Sequence, residues 1–518
     1  MVQRVTLDAM IPRADFAIAD EEFTVDLVQN FPISFLQADA AILKLLRKPD
    51  FQRETNQWSP EQVAVLVASF LDNEVIPSLI LWKSPTYIFV IDGGHRLSAL
   101  RAWIEDDYGD GALSLNFYKG EISEEQKKTA RRTRQLIEQK IGRFSNLRNL
   151  SGTKVSDDAV AVKRANRLFT RALNLQWVLG NADVAETSFF KINSQGTPLD
   201  DTEEMLIRNR RKPIAIGARA ILRSGTGHKY WSRFSQNHKD KLEELANDFY
   251  ELLFEPESKI PLKTLDVPFG GSVSPVEALS LLIDFLMLSG SRASEALVIE
   301  KQPNDETGEE TIGVLRRSIE ILNRITGNTP GSLGLHPAVY FYNERGKYNR
   351  FLFLGMTALL TERVRNNDTQ FFKKFTRARS IIENFLVANK SLIALIQQNM
   401  SKAQRVPRMK QLFEYLIEVG ASGDLPIAEE AIAQLGLRGR ILDVNSAQHT
   451  LNFSDDAKSM LFVTAALAGA LRCPICQGYL HPTKSVSYDH IVRRQDGGNG
   501  DVANGQMAHP FCNTAVKN

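Results

Sequence analysis

The chain has 518 residues, with 63 Lys and Arg against 61 Asp and Glu and a formal net charge of +2. Its 43% hydrophobic and 24% charged residues are the profile of a soluble globular protein of roughly three to four domains. The near balance of charge excludes a polycation, so nucleic-acid affinity must come from local basic patches.

No stretch reaches the roughly 18 apolar residues of a membrane span. The most apolar segment, Val276 to Leu288, carries Glu277 and Asp284 and reads as a buried helix. The opening MVQRVTLDAMIPRADF has no apolar h-region and early acids, which speaks against a secretory signal. A cytoplasmic location is the expectation.

After an apolar stretch at Phe31 to Leu46, Trp58-Ser59-Pro60-Glu61 predicts a helix start, with Ser59 as cap and Pro60 in the first turn. That helix should run to about Leu71. Ser78 to Trp82 and Tyr87 to Ile91 read as strands around a Lys83-Ser84-Pro85-Thr86 turn. Asp92-Gly93-Gly94 stops the second strand, and helical spacing resumes over His95 to Trp103. Such a strand–loop–helix offers backbone N–H groups and a helix dipole to an anion, with Arg96 as a bidentate phosphate partner. Taken alone, the motif is equally served by a plain turn.

Residues 120 to 150 read as charged helix with the basic run Arg131 to Arg134. Residues 155 to 210 read as further helix with a Gly-bearing loop over Asn193 to Thr197, in which Asn193 and Thr197 either bind a ligand or brace the loop. The runs Arg131 to Arg134 and Arg208 to Lys212 are assigned to DNA-backbone contact. From about 213 to 460 helical patterns dominate: Lys239 to Phe254, Pro275 to Leu288, Thr311 to Ile325 and Gln370 to Ala388. His228, His238, His336 and His449 show no partner spacing and read as structural.

The three cysteines, Cys473, Cys476 and Cys512, all lie in the last 46 residues, where the odd number argues for metal rather than disulfides. Cys473 and Cys476 form one knuckle, and His509 and Cys512 a second with the same gap. Three thiolates and an imidazole complete a tetrahedral zinc set. Metal binding would supply much of the folding energy of so small a module, on the order of 10 kcal/mol.

Between the knuckles stand Tyr488-Asp489-His490-Ile491, Gly497-Gly498 and Asn504, with Asn513 after Cys512. This order resembles the HNH (ββα-metal) nucleases, in particular their McrA-like, zinc-containing branch. The resemblance implies that His490 is the general base and Asn504 braces its loop. It implies that Asp489 and Asn513 hold a magnesium or manganese ion. His509 stands where the family often has Cys, and Asn513 where it often has His. His509 is assigned to zinc; as a ligand of the catalytic ion it would leave zinc one ligand short.

Phe51-Gln52-Arg53, Trp58-Ser59-Pro60, Ile76-Pro77, Ile91-Asp92-Gly93 and Arg96-Leu97 resemble, in that order, the ParB/sulfiredoxin-like domain of the GmrSD family. Those are modification-dependent, type IV restriction systems of bacteria. Phe189 to Leu199 resembles that domain's F-x-x-I-N-x-x-G-T-x-L loop. His95 stands where many relatives have Gln. The resemblance implies binding and hydrolysis of a nucleoside triphosphate (GTP, UTP, CTP or ATP) by Arg53, Asp92, Gly93, Gly94, His95, Arg96 and Asn193.

The expected fold is α+β: a ParB/sulfiredoxin-like domain over 30–210, a mainly helical middle over 213–460 and an HNH zinc module over 470–518. The expected protein is an SspE-like and GmrSD-like sensor fused to an McrA-like nuclease, acting on phage DNA, modified DNA included. The competing readings are a non-catalytic ParB-like DNA-binding regulator with a zinc knuckle, and a sulfiredoxin-type phosphotransferase or redox enzyme. The absence of any Cys near Asp92 to Arg96 speaks against the redox version. The modification sensed, the nucleotide and the oligomeric state, a homo-oligomer included, stay open.

Overall fold

The computed structural model describes residues 4–14, 16, 28–49, 52, 55, 56, 58–120, 122–151, 158–195, 201–224, 231–258, 260–271, 275–292, 298–438, 452–481 and 483–517. The chain is mixed α/β and mostly helical. It forms two compact units, Met1–Arg210 with Thr226–Tyr230, and Arg211–Gly225 with Trp231–Asn518.

The first unit is built on six strands: β1 (Arg13–Ala14), β2 (Asn30–Pro32), β3 (Leu46–Pro49), β4 (Leu79–Lys83), β5 (Ile88–Asp92) and β6 (Ala172–Val178). Their order is β1-β3-β5-β4-β6-β2. β1, β3 and β5 run parallel, β4 returns antiparallel to β5, and β6 runs parallel to β4. β5 is apolar along its length because both faces are covered. Ile88 and Val90 pack with Val63, Val67, Leu97, Leu100 and Trp103. Phe89 and Ile91 pack with Phe16, Trp82, Ala185 and Phe189 on the other side.

The helix expected from Ser59 spans Pro60–Asp72, and its cap is a reciprocal box. Gln62 N donates to Ser59 Oγ at 3.3 Å, and Ser59 N donates to Gln62 Oε1 at 2.9 Å. β6 adds a strand where only helix and a Gly-bearing loop were expected over 155 to 210: Leu173-Asn174-Leu175-Gln176-Trp177 alternates apolar and polar and pairs with both β4 and β2. The loop expected from Asn193 starts later, since Asn193 belongs to the Ala182–Gln195 helix. The Asn193 side chain, Arg53, Thr197, His228 and His449 lie outside what the structure describes.

The second unit is helical through Pro213–Leu222, Gln236–Phe254, Pro275–Gly290, Glu309–Ile325, Arg350–Arg365, Thr369–Ala388 and Lys402–Ala421. The Arg350–Arg365 helix packs on Lys402–Ala421 and Pro275–Gly290. Within the same unit the tail forms an antiparallel ribbon, β7 (Ser487–His490) and β8 (Gly505–Ala508), followed by a helical turn over Cys512–Val516. No helix among the described residues is long and apolar enough to cross a membrane.

Candidate metal centre and active site

Cys473, Cys476, His509 and Cys512 are buried, and one ligand atom from each lies within 4.8 Å of the others. The first knuckle is closed by Cys473 N donating to Gly478 O and Gln477 N donating to Cys473 O, both at 2.8 Å. His509 Nδ1 lies 3.4 Å from Cys476 Sγ and 3.8 Å from Cys512 Sγ. Its Nε2 donates to the Tyr479 carbonyl at 2.9 Å. That bond leaves the Nδ1 lone pair facing the sulfurs, as a metal-ligating imidazole requires.

The sulfurs perturb one another strongly. Hydrogen bonds from Cys476 and Cys512 pull the Cys473 thiol far down, and the contact with Cys473 pushes both Cys476 and Cys512 up. Three sulfurs this close tolerate one thiolate unless a metal neutralises the rest. Burial keeps His509 neutral, its ligand form. A Cys3His donor set of this size fits zinc.

The knuckle leans on a buried ion pair in the Thr369–Ala388 helix. Arg379 Nε lies 2.7 Å from Glu383 Oε1, both side chains almost wholly inaccessible. Glu383 Oε2 accepts from Tyr479 N at 2.5 Å, and Oε1 accepts from Tyr340 Oη at 3.0 Å. Arg379 also donates to the carbonyls of Leu333 and Gly334. The C-terminal turn is tied down by Phe511 N to Ser332 O at 3.0 Å and Thr514 Oγ1 to Pro330 O at 2.8 Å. Nothing in the residue pattern around Arg379 and Glu383 announced this support.

On the ribbon, Asp489 faces Gln506 and His490 faces Gly505. Asp489 is buried, and its Oδ2 accepts from Gln506 Nε2 at 2.7 Å and from Lys517 Nζ at 2.8 Å. Lys517 also donates to the His490 carbonyl. Alternation puts Ser487 on the same face as Asp489, and Asn513 Nδ2 donates to Ser487 Oγ at 2.6 Å. The Asn513 amide is thus anchored to Ser487, on the strand face that carries Asp489.

Asn504 holds the loop after His490. Its Oδ1 accepts from Val492 N at 2.7 Å, and its Nδ2 donates to Val492 O at 3.1 Å and Asn499 O at 2.7 Å. The loop turns tightly: Gly497 has φ +88°, and a Cβ on Gly498 would sit 1.8 Å from the Val492 carbonyl oxygen. Arg494, carried on this loop, donates from Nε to His490 Nε2 at 3.3 Å.

In the first unit, Gly93 caps the Gly94–Glu105 helix with φ +97°, and a Cβ there would lie 2.4 Å from Leu79 Cδ2. Only glycine fits both demands. Arg96 Nη2 reaches Asp92 Oδ2 at 2.5 Å and the Ser78 carbonyl at 3.3 Å. His95 stacks on Trp58 with centroids 5.7 Å apart, and the Gln52 side chain lies over Gly94. Asp92 through Arg96 therefore meet Gln52 and Trp58. Arg96 is engaged by Asp92 and would have to trade that carboxylate for a phosphate.

Residues 35–211 match the model of the GmrSD restriction endonuclease, N-terminal domain. This segment is similar to the N-terminal domain of GmrSD-type restriction proteins. No curated protein and no solved structure matches the chain.

Within the first unit a further buried network was not legible in sequence. Asp8 Oδ1 accepts from Arg13 Nη2 at 2.6 Å, Lys48 Nζ at 2.8 Å and Thr55 N at 3.2 Å, fixing the chain between β3 and Trp58. The basic runs assigned to DNA are largely ion-paired. Arg132 meets Glu61 and Arg134 meets Asp106 and Asp110. Arg208 meets Glu204 and Arg210 meets Glu186, while Lys212, in the second unit, donates to the Gln302 carbonyl.

Proposed function

We propose that this chain is a metal-dependent DNA endonuclease of a modification-dependent, type IV-like antiphage restriction system. In this reading its C-terminal HNH-type module is gated by the GmrSD-type segment acting as a nucleotide-binding and hydrolysing sensor. The observation that carries the reading is the ribbon bearing Asp489 and His490, its loop held by three Asn504 hydrogen bonds, beside a buried Cys3His cluster. The match of residues 35–211 to a restriction-endonuclease domain supports it independently.

The chemistry follows from the side chains. His490 takes a proton from a water molecule, whose oxygen bonds to phosphorus as the bond to the leaving ester oxygen breaks. The leaving oxygen departs with the electron pair and is protonated. Asp489 and Asn513 would hold a magnesium or manganese ion, which would supply charge neutralisation for the reaction. Zinc in the Cys3His set holds the ribbon and the final turn together.

At the other end, Arg96 and the N–H groups at the start of the Gly94–Glu105 helix contact the triphosphate, Asp92 holds a metal or positions water, and Arg53, Gly93, Gly94, His95 and Asn193 are further contacts. The test is cleavage of modified and unmodified phage DNA with and without each nucleotide. Nucleotide-dependent cutting supports the reading; no cutting under any combination overturns it.

A further inference from the structure

Arg494 stands out in the second unit. It is exposed, and among the described residues no ion pair takes it up. Its Nε instead points at the ring nitrogen of His490, 3.3 Å away.

A guanidinium has donors and no acceptor. His490 Nε2 is therefore the nitrogen with the lone pair, the one able to take a proton. The contact also puts a permanent positive charge beside the position where water must be deprotonated. Ordinary loops do not hold such a pair together, and this one is built for it. Asn504 fixes both ends of the loop, at Val492 and Asn499. Asp496 N and Gly498 N both donate to the Arg493 carbonyl, at 3.0 and 2.9 Å. Gly498 has no room for a Cβ. The result folds residue 494, which opens the short 3-10 turn Arg494–Asp496, back over residue 490.

We propose that Arg494 is a catalytic residue of the nuclease, which binds the scissile phosphate and stabilises the charge that builds on its non-bridging oxygens during attack. The inference rests on the nuclease reading above. A phosphate offers two oxygens to the guanidinium's fork, a better partner than one imidazole nitrogen. As DNA enters, Arg494 transfers from His490 Nε2 to the phosphate, and the freed lone pair accepts the proton of the attacking water. The P–O bond to the incoming oxygen forms, the ester P–O bond breaks, and Arg494 keeps its proton throughout.

The experiment measures single-turnover cleavage of labelled phage DNA fragments by the full chain at saturating enzyme, for wild type, Arg494→Ala, Arg494→Lys and His490→Ala. DNA binding is read separately by anisotropy with calcium in place of magnesium. Arg494→Ala should cut about 10²- to 10³-fold more slowly, bind DNA within a few-fold of wild type, and recover rate when guanidinium ion is added. Arg494→Lys should fall between. Wild-type cutting by Arg494→Ala, or a loss that lies wholly in binding, or one that guanidinium leaves unchanged, overturns the proposal while His490→Ala is inactive. Cutting by His490→Ala at the wild-type rate sinks the nuclease reading itself.

Discussion

The Lys517 ammonium sits 2.8 Å from the Asp489 carboxylate and donates to the backbone of His490, so one side chain holds the strand's acid and its base together. This cation competes with any divalent ion at Asp489. Lys517→Gln should lower the manganese concentration needed for half-saturation several-fold, since removing one charge at about 4 Å is worth roughly 1 kcal/mol in water-like surroundings. Manganese titration by electron paramagnetic resonance checks it; unchanged or weaker binding contradicts it.

Zinc content is the second expectation. Elemental analysis should find one zinc per chain, and Cys476→Ser should lose it. Glu383→Ala should destabilise the second unit by about 3–5 kcal/mol, because it strands the Arg379 charge in a buried site and releases Tyr479 N. Denaturant unfolding of the zinc-loaded protein measures this. A change below about 1 kcal/mol would mean that the ion pair does not support the knuckle.

Two glycines make steric predictions. Gly93→Ala sets a Cβ against Leu79 at φ +97°, and Gly498→Ala drives one into the Val492 carbonyl. Each should cost on the order of 1–3 kcal/mol locally. Gly498→Ala should also slow DNA cutting with zinc retained, whereas Gly93→Ala should weaken nucleotide binding.

Acid should weaken the second unit through two buried histidines. Burial lowers His336 well below its usual range and His481 to about 4. Between pH 6.5 and about 4 the unfolded chain binds protons that the folded His481 refuses. Stability therefore falls with pH by up to about 1.4 kcal/mol per unit for each such group. Denaturant midpoints from pH 7.5 to 5.5 should drop for wild type and drop less steeply for His481→Gln, in which His336 still contributes; parallel curves would contradict the assignment.

Much of this was legible in the chain. Ser59-Pro60 marked its helix because capping is local, and β5 was plain because a strand buried on both faces is apolar throughout. The Cys3His cluster was readable because metal geometry imposes spacing. β6 was missed, although Leu173 to Trp177 alternates, because its partners β2 and β4 lie far away in sequence and nothing local announces them. Arg494, Lys517, Arg379 and Glu383 were missed for the same reason: each matters through a neighbour that only folding supplies. The acids opposite the basic runs were not legible either, because charge on a helix does not reveal them, as Arg134 with Asp106 and Asp110 shows.

Coupling between the GmrSD-type segment and the nuclease is the expectation that most needs kinetics. Arg96→Ala should weaken nucleotide binding and change nuclease output, although Arg96 and His490 belong to different units. Nucleotide hydrolysis and DNA cleavage run in parallel decide it. An Arg96→Ala protein unchanged in both activities would make Asp92 to Arg96 a structural turn.

The central claim is that Asp489 and His490 cut DNA. The direct measurement is magnesium- or manganese-dependent cleavage by wild type and His490→Ala, each confirmed by elemental analysis to carry zinc. The account predicts cutting by wild type and none above background by His490→Ala at equal zinc content. Equal cutting by the two proteins would contradict it.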